Sequence, residues 1–253
     1  MISKSKLKYY SSLAKKKYRD TENKFLVEGH KLIFEALISG YECELILMLK
    51  DVEGEIHDLI KPFLSKIKQI EIITEKEIKK IQSTVHSQGS IAVFKKNYPP
   101  KVNQIRDRLI VALENVNDPG NVGTIIRNAD WFGVKDLLLS DNSADIYNPK
   151  TIRASAGSVF HLDIIYRINL LYTIAHLKTK GYKILCADVA GTNIYNYSKS
   201  AKEIIVFSNE ANGPTDKLLE IADERITVPK KGKAESLNVA SASAIILSEL
   251  TRY

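Results

Sequence analysis

The carboxylate of Glu210 directly follows a short apolar segment and is the first candidate for chemistry in this sequence. The apolar residues 204–207 have the length of a buried strand. Ser208, Asn209 and Glu210 come next, and parallel sheets usually bind their ligands at the carboxyl ends of the strands. Gly213 then precedes a proline, a pair that ends the turn. We therefore predict a functional site at this strand end.

A second polar loop follows Val228, which closes the next short strand in the prediction. Ser236, Leu237 and Asn238 then lead into a helix rich in Ala and Ser. Ser and Asn at a helix start often accept hydrogen bonds from free backbone amides, so capping is one interpretation of these residues. The other interpretation is a pocket, because two polar loops that flank one short helix, both at strand ends, are typical of a ligand site.

A third segment joins a strand at residues 109–113 to a helix through a loop rich in Asn, Asp and Gly. Helix N-terminal amides point out of such a loop, so this layout is typical of phosphate or ligand binding. The pattern Gly-x-Gly-x-x-Gly is absent, which argues against a dinucleotide-dependent metabolic enzyme. Asn121 lies at the start of the predicted helix, and Arg127 follows less than two turns later. Taken alone, Arg127 would be an ordinary surface charge.

Strands and helices alternate along both halves of the chain. In residues 109–253 the alternation predicts a mostly parallel sheet with helices on both faces. Residues 1–97 are predicted to form a smaller α/β domain, and two prolines among charged residues mark 98–108 as a linker. The polar segment 191–197 is predicted to be a loop. Further helices are predicted over residues 56–64, 75–81 and 170–180.

The N-terminal residues 3–19 mix basic side chains with tyrosines. Basic side chains bind phosphates and aromatic rings stack on bases, so this composition is typical of an RNA-binding arm. The alternative is a solvated amphipathic helix whose tyrosines face the core, and one helix can do both. The residues concerned are Lys4, Lys6, Lys8, Lys15, Lys16, Lys17, Arg19, Tyr9, Tyr10 and Tyr18.

Composition indicates a globular protein with a positive excess. The chain has 253 residues, of which 44% are hydrophobic, and a formal net charge of +7. This excess is concentrated in the first hundred residues and favours a polyanionic partner. Cys43 and Cys186 are too few for a disulfide framework, and no Cys or His cluster has metal-ligand spacing. Since no apolar leader or membrane-length apolar run is present, we expect a cytoplasmic protein with no metal and no membrane partner.

Three segments together resemble the SpoU/TrmH family of RNA ribose methyltransferases, within the SPOUT class. They are residues 118–127, 208–213 and 228–240, and their order and spacing match over residues 109–253. Residues 16–29 are similar to the substrate-binding domain of many family members. The resemblance implies a ribosomal-protein-like (L30e-like) N-terminal domain and a deep trefoil knot in the C-terminal domain. It also implies S-adenosylmethionine as the cofactor, RNA as a partner, and a homodimer.

The same resemblance implies roles for individual residues. The cofactor would contact five residues, largely through their backbone groups: Ser208, Asn209, Gly213, Val228 and Leu237. Five residues would lie at the reaction centre: Arg127, Glu210, Ser236, Asn238 and Asn121. This chain has Ser208 where family members more often have Gly, a small change that leaves the pocket in place but could alter cofactor affinity.

The implied reaction is methylation of a ribose 2′-hydroxyl, with large-subunit ribosomal RNA as the first candidate substrate. A ribose hydroxyl is a poor nucleophile, so the enzyme must align it with the activated methyl group and remove one proton. Glu210 is the conventional candidate base. The resemblance assigns proton removal to Arg127, but a guanidinium stays protonated in proteins. We therefore interpret Arg127 as the group that grips the target phosphate and stabilises the developing alkoxide, while Ser236 and Asn238 orient ribose or cofactor.

Two alternatives remain open from the sequence. One is a transfer-RNA 2′-O-methyltransferase, which would use the same chemistry on another RNA. The other is a non-catalytic RNA-binding or ribosome-assembly protein that retains the fold.

Overall fold

The computed structural model describes residues 2–84 and 88–252. The strands are β1 Lys24–Glu28, β2 Cys43–Met48, β3 Ile70–Ile72, β4 Ser90–Lys95, β5 Leu109–Glu114, β6 Asp136–Ser140, β7 Asp163–Ile168, β8 Lys183–Asn193, β9 Glu203–Ser208 and β10 Glu224–Thr227. The α-helices are α1 Lys4–Ser12, α2 Lys16–Glu22, α3 His30–Ile38, α4 Glu53–Ile60, α5 Glu75–Ile78, α6 Pro119–Trp131, α7 Pro149–Ala154, α8 Leu170–Lys178, α9 Asp216–Ile221 and α10 Val239–Thr251.

The chain forms two compact units. The first runs to Tyr98 and also includes Tyr147–Phe160, and the second contains Pro99–Ile146 and the chain from His161 onward. The domain boundaries given above stay a prediction. The structure adds that α7 and its flanking residues, although they lie late in the sequence, pack within the first unit.

The first unit is built on a four-stranded sheet with the order β1-β4-β2-β3. Strand β4 is antiparallel to both β1 and β2, whereas β2 and β3 are parallel. Aromatic packing brings the late segment into this unit, since the rings of Phe25 and Tyr147 have centroids 4.5 Å apart and those of Tyr41 and Phe160 are 5.2 Å apart. These contacts join residues far apart in the chain, so no local pattern could reveal them.

The basic N-terminal segment has both buried and exposed side chains. Tyr10 is buried, and the buried guanidinium of Arg19 donates hydrogen bonds to the carbonyl oxygens of Leu13 and Ala14, so these two residues stabilise the unit. Tyr18, by contrast, is 41% exposed. The lysines that precede it are exposed as well: Lys15, Lys16 and Lys17. The start of α2 therefore presents a basic surface.

The second unit contains a six-stranded sheet with the order β10-β8-β9-β5-β6-β7, and every neighbouring pair is parallel. All six residues of β5 and all six of β9 are buried, so both faces of the sheet are covered. Helix α8 contributes to the core on one face, and α6 packs against α10. The predicted parallel α/β sheet is therefore confirmed, whereas the knot stays a prediction.

Several element boundaries differ from the prediction. Residues 191–193, predicted as loop, continue β8 because Thr192 and Asn193 pair with β10. Gly191 makes this approach possible, since a Cβ atom there would lie 2.6 Å from the backbone of Ile226. Strand β7 was not predicted, because only Ile164 and Ile165 of its residues are buried. Helix α4 begins before the predicted start at residue 56 and ends at Ile60, where a 3-10 helix at Lys61–Lys66 follows. Helices α5 and α8 are shorter than predicted.

The model shows no helix between residues 2 and 84 or between 88 and 252 that is both long and apolar enough to cross a membrane.

Candidate active site at the carboxyl edge of the parallel sheet

The three polar segments meet at the carboxylate of Glu210. Its Oε1 atom accepts hydrogen bonds from Asn121 Nδ2 at 2.9 Å, from Asn238 Nδ2 at 2.7 Å and from the backbone amide of Val239 at 2.9 Å. Asn238 Nδ2 also donates to Asn121 Oδ1 at 3.1 Å. Three residues from separate motifs thus form one cluster, which we call the Glu210 cluster: Asn121, Glu210 and Asn238.

Helix starts hold the two asparagines in place. Asp118 caps α6 by accepting a 2.9 Å hydrogen bond from the amide of Asn121. Asn238 caps α10, since its Oδ1 accepts from the amides of Ala240 and Ser241 at 2.9 and 3.3 Å. The capping interpretation is therefore confirmed for Asn238, and it coexists with a contact to the cluster because the two ends of the side-chain amide serve different partners.

The loop that carries Glu210, residues 208–215, is fixed by its own hydrogen bonds. The Oδ1 atom of Asn209 accepts from the amide of Ala211, and its carbonyl oxygen accepts from the amide of Gly213, both at 2.8 Å. Asn209 Nδ2 donates to the carbonyl oxygen of Asn115 at 3.0 Å. Gly213 has φ +64°, a conformation that side chains rarely adopt. The Asn209 side chain therefore shapes the loop, and the backbone groups remain the candidates for ligand contact.

A buried carboxylate that the sequence analysis missed anchors this loop. Glu114 is the last residue of β5 and is 4% exposed. It accepts hydrogen bonds from Ser208 Oγ and from both the amide and the hydroxyl of Thr215. The available signal was a charged residue at the end of an otherwise apolar strand.

Other polar residues support the same edge of the sheet. Asn115 has a positive φ of 55°, and its amide donates to Ser140 Oγ at 2.9 Å. Asn128 Nδ2 donates to the carbonyl oxygen of Ala240 at 3.0 Å and to Ser243 Oγ at 2.9 Å, which joins α6 to α10. The sequence analysis missed these residues because their partners lie far away in the chain.

Arg127 is not part of the Glu210 cluster. It lies on α6, is exposed, and makes no side-chain hydrogen bond or ion pair with any residue that the structure describes. A charged group without a protein partner is available to an external anion, and it is equally compatible with a plain surface charge. Its role therefore stays a prediction.

The remaining residues predicted for the site make no hydrogen bond to the Glu210 cluster. Ser236 is exposed, and within the described part of the chain its side chain has no hydrogen bond. Leu237, the neighbour of Asn238, is 48% exposed. Val228 follows β10 and is half-buried. Ser208, at the end of β9, is buried.

The geometry of the Glu210 cluster limits its chemistry. A carboxylate oxygen has two lone pairs, so Oε1, with three donors around it, has no capacity left to take a proton from a substrate. The other oxygen, Oε2, accepts no hydrogen bond from the described residues. The arrangement suits a group that holds its own loop and the starts of α6 and α10 together. Proton transfer, if it occurs here, is restricted to Oε2.

Comparison with known proteins identifies the family. Residues 108–248 match the SpoU rRNA Methylase family, and residues 4–92 match the MRM3-like substrate binding domain. The 23S rRNA (guanosine(2553)-2′-O)-methyltransferase RlmP of Bacillus subtilis strain 168 is 33% identical over 246 residues, which cover 97% of this chain and 95% of that protein.

Solved structures agree with this assignment. An AdoMet-bound rRNA methyltransferase from Sinorhizobium meliloti matches with a TM-score of 0.86 and 28% identity, covering 99% of this chain and 96% of that chain. The SpoU methyltransferase AviRb of Streptomyces viridochromogenes, in complex with AdoMet, shares the fold with a TM-score of 0.87 at 21% identity, over 98% of this chain and 97% of its own. The family resemblance is thereby confirmed, and the chain belongs to the SpoU rRNA Methylase family.

Proposed function

We propose that this protein transfers the methyl group of S-adenosylmethionine to the 2′-hydroxyl of a ribose in RNA, with large-subunit ribosomal RNA as its substrate. The Bacillus subtilis relative is a 23S rRNA 2′-O-methyltransferase that aligns over 97% of this chain, and the Sinorhizobium meliloti structure contains AdoMet. Within this chain, the observation that carries the proposal is the meeting of Asn121 and Asn238 at Glu210, which unites three motifs at the carboxyl edge of the sheet.

The loop chemistry fits this cofactor. The hydroxyl of Ser208 is bonded to Glu114, so the Ser that replaces the more common Gly adds no unpaired polar group to the loop. The backbone of residues 209–213 supplies donors and acceptors, and the 48% exposed Leu237 supplies apolar surface that an adenine ring can cover. We assign cofactor binding to Ser208, Asn209, Gly213, Val228 and Leu237.

S-adenosylmethionine supplies a methyl group on a positively charged sulfur, which activates that group towards an oxygen nucleophile. The residues of this chain then have to position the ribose and stabilise its oxygen as the proton leaves. Arg127, exposed and unpaired among the described residues, is the group that binds the target phosphate and the developing alkoxide. Glu210 fixes Asn121 and Asn238, and Ser236 with Asn238 orients the ribose.

The first unit supplies a surface for RNA. At the start of α2, four exposed residues can bind phosphates and a base: Lys15, Lys16, Lys17 and Tyr18. The proposal extends, on the family resemblance, to a homodimer, a trefoil knot in the second unit and action in the cytoplasm.

The test is methyl transfer from labelled S-adenosylmethionine to RNA by the purified protein. We expect incorporation into a large-subunit ribosomal RNA transcript, with the label located on a ribose after nuclease digestion. Transfer RNA is the comparison substrate, and labelling of transfer RNA alone would move the proposal to that RNA. Binding of RNA without methyl transfer, by folded protein that also fails to bind S-adenosylhomocysteine, would contradict the proposal and favour a non-catalytic RNA-binding protein.

A further inference from the structure

The buried carboxylate of Glu114 bonds to both ends of the 208–215 loop. Glu114 and Ser208 are paired residues at the ends of the adjacent strands β5 and β9. The Oε2 atom of Glu114 accepts hydrogen bonds from Ser208 Oγ at 3.0 Å and from the Thr215 amide at 3.1 Å. Its Oε1 atom accepts one from Thr215 Oγ1 at 2.6 Å. One side chain therefore holds both the first and the last residue of the loop.

The hydrogen bond between Ser208 and Glu114 is buried and cannot be exchanged for water without loosening the loop. Glu114 is 4% exposed and Ser208 is 8% exposed, so loss of the carboxylate leaves the Ser208 hydroxyl without a ready partner, whereas Thr215 is exposed and its two donors can bind water. Buried donors left unpaired are costly, whereas the same donors become satisfied if the loop opens to solvent. Removal of Glu114 should thus favour an open loop.

The bond to Ser208 depends on the serine hydroxyl. A glycine at position 208, as many family members have, could not donate a side-chain hydrogen bond to the carboxylate. Ser208 thus adds one contact to the anchor on its β9 side, and Thr215 supplies the other two.

We propose that Glu114 is a positioning residue for cofactor binding, which holds the 208–215 loop closed through Ser208 and Thr215. This inference rests on the proposed function, because the loop is assigned there to S-adenosylmethionine. Glu114 acts through the loop backbone and through the placement of Asn209. It is expected to determine cofactor affinity and to leave the reaction centre unchanged once the cofactor is bound.

The experiment compares Glu114→Ala with Glu114→Gln. Glutamine has the same shape, and its carbonyl oxygen can occupy the Oε2 position, where it accepts from Ser208 and the Thr215 amide. Its amide group can then donate to Thr215 Oγ1, which reverses the direction of that bond. We expect Glu114→Ala to raise the KM for S-adenosylmethionine by about tenfold, the effect of losing a buried hydrogen bond, with kcat changed by less than about threefold. Glu114→Gln should restore KM to within about threefold of wild type.

A matched control separates positioning from general stability. Glu203 is the first residue of β9, is 3% exposed, and accepts a 2.8 Å hydrogen bond from the Tyr197 hydroxyl, but it lies at the opposite end of the strand from Ser208. Glu203→Ala should lower the unfolding temperature while leaving the KM for S-adenosylmethionine within about twofold. Loss of folded protein alone would lower the active fraction, and with it the apparent kcat, without changing KM.

Calorimetric titration with S-adenosylhomocysteine supplies a readout that is independent of turnover. We expect binding by Glu114→Ala to be about tenfold weaker than wild type, at unchanged stoichiometry. Unchanged affinity and unchanged KM in folded Glu114→Ala would overturn the inference and leave the proposed function standing. Absence of both cofactor binding and methyl transfer in the wild-type protein would instead contradict the proposed function itself.

Discussion

The Glu210 cluster allows a test of whether Glu210 positions its neighbours or removes a proton. In Glu210→Gln, the amide carbonyl oxygen can take the place of Oε1 and still accept from Asn121, Asn238 and the Val239 amide. In Glu210→Ala, all three hydrogen bonds are lost. The two variants therefore separate geometry from acid–base chemistry.

The expected magnitude follows from the exposure of the cluster. Glu210 and Asn238 are exposed, so water replaces part of each lost bond and the low end of the usual range applies, roughly 0.5 kcal/mol each. Three such bonds amount to roughly 1.5 kcal/mol, or about tenfold in the population of the ordered arrangement. We expect Glu210→Ala to lower kcat/KM by at least about tenfold and Glu210→Gln to remain within about threefold of wild type.

The assay is single-turnover methyl transfer to the RNA substrate at saturating S-adenosylmethionine. Glu235→Gln, in the segment that precedes α10, is the control for loss of one exposed negative charge. General acid–base catalysis contributes about 10² to 10⁴ in rate, so a base would lose that factor in Glu210→Gln. A loss of about a hundredfold or more in this variant would refute the positioning role and identify Oε2 as a base.

Three further perturbations test other parts of the structure. Arg127→Ala should lower the rate of methyl transfer by about a hundredfold or more. The affinity for S-adenosylhomocysteine and the unfolding temperature should not change, because the Arg127 side chain has no partner among the described residues. Replacement of Lys15, Lys16 and Lys17 by alanine should weaken RNA binding and reduce the slope of log affinity against log salt by about 2, as measured by filter binding at several ionic strengths. Gly191→Ala should destabilise the protein by about 1 to 3 kcal/mol in urea unfolding, because its Cβ would lie 2.6 Å from the Ile226 backbone.

Each of these variants has a control of similar chemistry. Arg127→Lys is the control that keeps the charge but loses the planar guanidinium. Weakened cofactor binding in Arg127→Ala would contradict the proposed role of Arg127. Alanine at Lys76, Lys79 and Lys80, also exposed, removes the same charge elsewhere in the first unit, and an equal salt slope in both triple variants would argue against a specific surface. Gly232→Ala meets nothing within 4 Å and should be neutral.

Local patterns were sufficient to predict most of the second unit. The apolar runs of β5 and β9 predicted buried strands because a strand covered on both faces cannot tolerate alternation with polar residues. The cap at Asn238 was one of two interpretations, since a helix start needs side-chain acceptors for its free amides. Strand β7 and the end of β8 were missed because their pairing depends on neighbours that the local sequence does not specify.

The sequence predicted which residues belong to the candidate site better than it predicted which of them are in contact. The motifs directed attention to Asn121, Glu210 and Asn238, and the structure brings these three together. The same motifs grouped Arg127 and Ser236 with them, but neither side chain bonds to the cluster. Spacing along the chain shows which residues share a loop or a helix. Contact between residues of different loops also requires that the loops lie close together in space.

The sequence by itself determined the α/β class, the mostly parallel sheet of the second unit and the strand end where polar residues gather, because these depend on periodicity and on residue types at element ends. The family followed from the resemblance of three motifs. Only the tertiary structure decided that residues 147–160 pack within the first unit, that Tyr10 and Arg19 are buried while Tyr18 is not, and that Glu114 anchors both ends of the 208–215 loop. The physical reason is that burial and hydrogen-bond partners are properties of segments brought together from distant parts of the chain. A carboxylate at the end of a strand looks the same in sequence whether it faces solvent or, as Glu114 does, is buried and accepts hydrogen bonds from three donors.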